Sequence, residues 1–223
     1  MNPGMNPGTS RAMTELSPRR SPQEVVARLG HHLWPPGVEA CALYMIVDAA
    51  RDPGLYPGLL AREEEADMRS LYQGDTASEL AEVAPYLVRL TRGSAVADWL
   101  VGEGWGRGWG ILVQADGDID AVRRHFRKFT IVNGEGGAAY LFRFYDPAVL
   151  GSFLPISDEA QRAALFGPGI RFMMEDAGAD ALVLFESVNG DLRRVEIPLR
   201  TAPGAAPGAA SGAASGADAP RIR

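Results

Sequence analysis

The chain has one cysteine and three histidines, and no apolar run in it is long enough to enter a bilayer. A lone Cys41 cannot close an internal disulfide, and the lack of a disulfide framework fits a reducing compartment. The first twenty residues lack the apolar segment of a secretory leader, and no stretch approaches the roughly 18 to 20 apolar residues a membrane helix needs. These absences predict a cytoplasmic protein with no membrane partner. Positive charge is also scarce: 22 Lys and Arg face 28 Asp and Glu, a formal net charge of −6. Five of the bases and two of the acids lie in positions 1–20 and 201–223, so the stretch between keeps 17 bases against 26 acids, a net −9. Nucleic acid is a poor partner for such a surface, because phosphate binding rests on clustered positive charge.

The signatures of common chemistries are missing too. There is no Walker loop and no G-x-S-x-G elbow, and the glycines of Gly102–Gly110 never fall into G-x-G-x-x-G register and precede a strand instead of following one. His31 and His32 are adjacent and cannot share one helix or strand face, and neither H-E-x-x-H nor C-x-x-C lies nearby. His125 sits between Arg124 and Phe126 in a basic segment, which reads as a half-buried helix residue. Cys41 lies in an apolar run, and nothing around it poises a thiolate for nucleophilic work. No catalytic set, metal or cofactor is assigned.

What is present is ample core material. In 223 residues, 46% are apolar, enough for one domain. The ends differ from the rest: residues 1–20 carry a duplicated MNPG, and residues 201–223 are an Ala, Gly, Pro and Ser tract. Such tracts bury too little surface to offset the entropy of ordering, so both are predicted to be disordered tails around a domain at 21–200.

The stretch Ala138–Ile156, AAYLFRFYDPAVLGSFLPI, anchors that domain. Its first half is dense in β-formers, with Tyr140, Phe142 and Phe144 on one side of a predicted strand to Tyr145, an aromatic face expected to be buried. Asp146-Pro147 reads as N-cap and first helical residue. Val149, Leu150, Phe153 and Leu154 then recur at helical spacing. Arg143 is out of place among the aromatics and needs a partner, because an unpaired buried guanidinium is costly.

Ser21-Pro22-Gln23-Glu24 is a capping-box pattern that opens a helix predicted to end at Gly30. Cys41–Val47 is a short apolar run that reads as a buried central strand with Asp48 at its carboxyl end. A surface helix is predicted over Leu55–Met68, an extended piece at Ser70–Tyr72, and a strand at Ala84–Leu90 with Pro85 near its start. Ser94 caps a helix through Val101, and alternate glycines Gly106, Gly108 and Gly110 lead into a strand at Trp109–Val113. Asp118–Phe129 is a strongly amphipathic helix. Thr130–Asn133 and Tyr140–Tyr145 can pair as a hairpin, and a helix spans Asp158–Phe166. Strands follow at Ile170–Met174, Ala181–Glu186 and Leu192–Ile197, the last two joined at Val188–Asp191. The fold class is therefore α/β (α+β): one domain with a mixed β-sheet flanked by helices, and a C-terminal β-hairpin.

Each candidate site residue has two readings. Asp48 has an enzymatic address, since ligand sites in open α/β sheets cluster at carboxyl strand ends, and a small hydrolase or transferase built on it is the alternative function. Its other reading is a turn-forming carboxylate or the partner of Arg143. Arg123, Arg124, Arg127 and Lys128 are either a solvated helix face or a docking patch for an acidic partner. Trp99, Trp105 and Trp109 around the glycine-rich loop are either interface anchors or core.

The order of motifs adds a resemblance. ALYMIVDAARDP, SLYQGD, ELAEVAPYLVRL, WGRGWGILVQA, RRHFRKF, YLFRFYDPAVLGSFLP and LFGP, spanning about Cys41–Pro168, together resemble the effector adaptor (chaperone) family of bacterial type VI secretion, encoded between VgrG spike and effector genes. APYLVRL and LFRFYDPAVL carry most of that likeness. The resemblance implies a non-enzymatic cytoplasmic protein that binds a toxic effector, often near its N-terminal region, and helps load it onto a cognate VgrG spike. It also implies family-motif positions at Asp48, Tyr86, Arg143, Tyr145, Asp146 and Pro147, which are expected to hold the fold: Arg143 against Asp48 or Asp146, and Tyr86 against the hairpin.

Overall fold

In a computed structural model of the chain, residues 20–36, 41–134 and 137–199 are described. The predicted tails lie outside them apart from Arg20, which is held 3.0 Å from Asp180 and 3.0 Å from the Ala179 carbonyl.

Strand β1 (Ala42–Asp48) lies inside the sheet. It pairs with β3 (Pro85–Leu90) on one side and β4 (Gly110–Ala115) on the other. A strand buried on both faces can be apolar throughout. Leu43, Met45 and Val47 enter one apolar cluster, while Tyr44 and Ile46 enter a second on the opposite face. The full order is β2 (Met68–Ser70), β3, β1, β4, β7 (Arg171–Glu175), β8 (Ala181–Val188) and β9 (Asp191–Pro198). Asn189 and Gly190, with φ of 55° and 88°, supply the left-handed pair that the β8–β9 turn needs.

Helices α1 (Pro22–Leu33), α2 (Leu55–Leu60) and α4 (Ala95–Gly104) cover the first face; α5 (Ile119–Phe126), α6 (Pro147–Phe153) and α7 (Glu159–Phe166) cover the second. The short α3 (Asp75–Glu79) buries nothing. A separate two-stranded ribbon, β5 (Ile131–Asn133) with β6 (Ala139–Leu141), stands outside the main sheet. The chain is thus a single α+β domain with a C-terminal hairpin, as its patterning predicts.

The strand directions differ from expectation. The sheet is not mixed: every pairing in it is antiparallel. The crossover through α4 carries the chain past β1, so β3 and β4 run the same way yet never become neighbours. Gly110 makes the β1–β4 pairing close, since a Cβ there would meet the Ile46 carbonyl.

Three predicted boundaries also move. Helix α1 has its capping box but runs on past Gly30 to bury Leu33. Helix α2 stops at Leu60, and Glu63–Glu65 form turns. The strand predicted to reach Tyr145 ends at Leu141; a turn closed by Asp146 N–H to the Arg143 carbonyl, 3.0 Å, follows it. Phe144 and Tyr145 are consequently both buried although consecutive, and Tyr140, expected inside, is exposed.

Candidate functional site

Strands β1 and β7 run in the same direction, so their carboxyl ends deliver Asp48 and Glu175 to one edge of the sheet. The glycine-rich loop entering β4 and the corner between β6 and α6 arrive at that edge as well. Asp48, only 1% exposed, accepts a hydrogen bond from the Ala50 N–H at 3.2 Å and pairs with the Arg143 guanidinium. A carboxylate this deep is tolerable because both its oxygens are engaged. Asp146 caps α6 through the Ala148 N–H at 2.9 Å, and its other oxygen lies 3.7 Å from Arg51. Arg51 in turn donates its Nε–H to the Gly108 carbonyl at 3.1 Å.

Gly106 and Gly108, with φ of 81° and 64°, turn their amides onto the Glu175 carboxylate, the Gly108 N–H at 2.8 Å. Positive φ favours glycine at both positions, and at Gly108 a Cβ would also strike Arg51 Nη2 at 2.7 Å. Burial pushes the Glu175 carboxyl up from its ordinary value, against the pull of the two amides. A cleft of about 600 Å³ opens beside this cluster, with Met174, Val183 and Phe185, Gly151 of α6 and Arg194 of β9 among its lining residues.

The structure brings together Asp48, Arg143, Asp146 and Pro147, four of the positions the resemblance implies, with Tyr145 next to Asp146 in the chain. Of the two partners predicted for Arg143, Asp48 takes the ion pair. Tyr145 is buried, and burial followed by the neighbouring Tyr72 drives its phenol well up. Tyr86 does not pack on the hairpin. It donates to the Ala81 carbonyl at 2.8 Å and stacks on Tyr56 at 5.8 Å, and burial pushes it up to about 12. The predicted hairpin contact fails because Tyr86 belongs to the apolar cluster on the other face of the sheet.

The tryptophans and the bases fall on opposite faces of the sheet. Trp109 is buried and meets the half-buried Trp99 edge-on at 5.6 Å, with the Arg62 guanidinium 4.3 Å from the Trp99 ring. Trp105 donates its indole N–H to the Ala179 carbonyl at 2.9 Å. On the second face, Arg123 ties down the Ser70 and Tyr72 carbonyls at 2.6 and 3.1 Å. Arg127 reaches the Gln73 side chain, with the amide turned so that its oxygen meets the guanidinium. Only Arg124 and Lys128 of the four bases are exposed. His125 is half-buried, as predicted; its ring lies 2.8 Å from the Leu165 carbonyl, and burial lowers its proton affinity.

Sequence reasoning missed Arg51 and Glu175, since nothing local marks a glutamate as the receptor of amides from a loop more than sixty residues earlier. It also missed the exposure of the β5–β6 ribbon. Among the described residues, no group of three or more His, Cys, Asp and Glu side chains could hold a metal ion, and no helix is long and apolar enough to cross a membrane.

A sequence profile described as a domain of unknown function (DUF4123) matches residues 43–164, more than half of the chain. The chain belongs to the DUF4123 family. The match opens in β1 and closes in α7, so it takes in the ion-paired corner, the ribbon and α5, and leaves α1 and the strands β7, β8 and β9 outside. No curated protein and no solved structure matches this DUF4123 chain.

Proposed function

We propose that this DUF4123 protein is a type VI secretion effector adaptor: a cytoplasmic, non-enzymatic protein that holds a toxic effector and helps load it onto a VgrG spike. The observation that carries the reading is the family match over residues 43–164, the same region whose motif order resembles the adaptors. The geometry is consistent with it. Asp48, the residue an enzymatic reading would rest on, is buried and committed to Arg143 and a backbone amide, so its negative charge is spent on holding a corner of the fold. Function then comes from surface burial, with cargo held non-covalently and released on loading.

The test is co-expression of the tagged full chain with the VgrG and the effector encoded beside its gene, followed by co-purification and titration of the purified pairs. Binding to either at micromolar concentration or tighter is the expected result. Failure to bind both overturns the reading.

A further inference from the structure

The β5–β6 ribbon carries the densest exposure of large apolar side chains among the described residues: Ile131 is 60%, Val132 39%, Tyr140 57% and Leu141 55% exposed. Register makes this more than a loose edge. Ile131 pairs with Leu141 and Val132 with Tyr140, and in a hairpin directly opposed residues share a face. The two pairs are adjacent, so they lie on opposite faces, and both faces of the ribbon are apolar and wet. No rotation of the ribbon onto the domain could bury both.

The backbone is equally unanswered. Among the described residues β5 pairs only with β6, leaving an open ladder edge on each side. A lone two-stranded hairpin is marginal in water, and a third strand with apolar contacts is what such a ribbon lacks. Its root is nonetheless firm. Phe142 packs on Phe153 and Phe144 with ring centroids 5.0 and 6.0 Å apart, and Arg143 follows, ion-paired to the buried Asp48. An open ribbon on a fixed root is built to receive a strand.

Charge selects the occupant. Lys128 lies three residues before Ile131, and Arg124 one helical turn before that; both are exposed and neither has a carboxylate partner among the described residues. A second copy docking through the same ribbon would bring these bases toward each other, whereas an acidic segment would be drawn in.

We infer that the β5–β6 ribbon is the cargo-docking element, and that it takes an extended segment of the effector, apolar with acidic residues beside it, as a third strand. This rests on the adaptor reading and names the surface through which that function is exercised.

The experiment titrates the purified effector encoded beside the gene against three full-length proteins: the unaltered chain, Tyr140→Ser/Leu141→Ser, and Arg124→Glu/Lys128→Glu. Circular dichroism melts and gel filtration of each are run alongside. The ribbon variant should weaken binding by about 30-fold or more while its melt stays in place, as expected for losing central apolar contacts. The charge-reversed variant should lose about fivefold, with a flatter dependence on salt. A ribbon variant that binds like the unaltered chain overturns the ribbon assignment and leaves the adaptor reading standing. No binding by the unaltered chain to effector or VgrG overturns both. Self-association of the unaltered chain that the ribbon variant abolishes overturns the effector as occupant in favour of a second copy.

Discussion

At the carboxyl end of β1 the acids are answered within the chain: Asp48 by Arg143, Asp146 by Arg51 and the Ala148 amide, Glu175 by the amides of Gly106 and Gly108. The β5–β6 ribbon, which begins its return only a few residues before Arg143, leaves both its ladder edges and its apolar side chains open. The first region is stable because desolvated groups are paired. The second is available because its groups are not. Residues that hold the frame are thus told apart from the surface the frame leaves unfinished by whether their groups are paired.

The contrast is tested most severely by comparing two aromatic residues. Trp109→Ala removes a buried ring packed against Trp99, and should cost about 3 to 4 kcal/mol in urea or guanidinium unfolding. Tyr140→Ser, on the ribbon, should stay within about 0.5 kcal/mol, as surface substitutions do. Equal losses would mean that the ribbon is part of the core's cooperative unit and not a free docking element.

Arg143→Ala leaves Asp48 buried without its cation. Breaking a buried pair typically costs about 3 to 5 kcal/mol, but Arg143 itself is 37% exposed, so solvent screening brings the expected loss to about 2 to 3 kcal/mol. The double variant with Asp48→Asn should recover part of it, because the abandoned charge is then gone. An Arg143→Ala protein as stable as the unaltered chain that no longer binds cargo would move Arg143 from the frame to the contact surface.

Much of the frame was readable because its causes are local. Asp48 at the end of an apolar run, Pro85 opening β3, the caps Ser21, Ser94 and Asp146, and the Asn189-Gly190 turn all sit within a few residues of what they determine. The rest depends on groups distant in sequence. Nothing between Ala138 and Tyr145 says that the strand must break at Phe142, where the chain turns and Arg143 meets a carboxylate 95 residues earlier. The alternate glycines were visible as the lead into a strand, but nothing near them said that Glu175 and the Ile46 carbonyl would come close. In the basic helix, Arg123 and Arg127 look like Arg124 and Lys128 until β2 and the loop after it supply the carbonyls and amide that absorb them.

The smallest change separates the answered edge from the ribbon by pH. Glu175 has its proton affinity raised in the folded chain, chiefly by burial, so above its folded pKa the ionised carboxylate costs stability. As pH falls through that raised value the folded state takes up a proton that the unfolded state still lacks, and stability should rise until the ordinary carboxyl value of 4.5 is passed. Glu175→Gln removes this contribution, so the difference in unfolding free energy between it and the unaltered chain should vary across that window and be flat above it. Tyr140→Ser, with no titrating group, should show no such variation. If the Glu175→Gln difference is flat throughout, the Gly106 and Gly108 amides offset the cost of burying the carboxylate in full, and burial does not set its proton affinity.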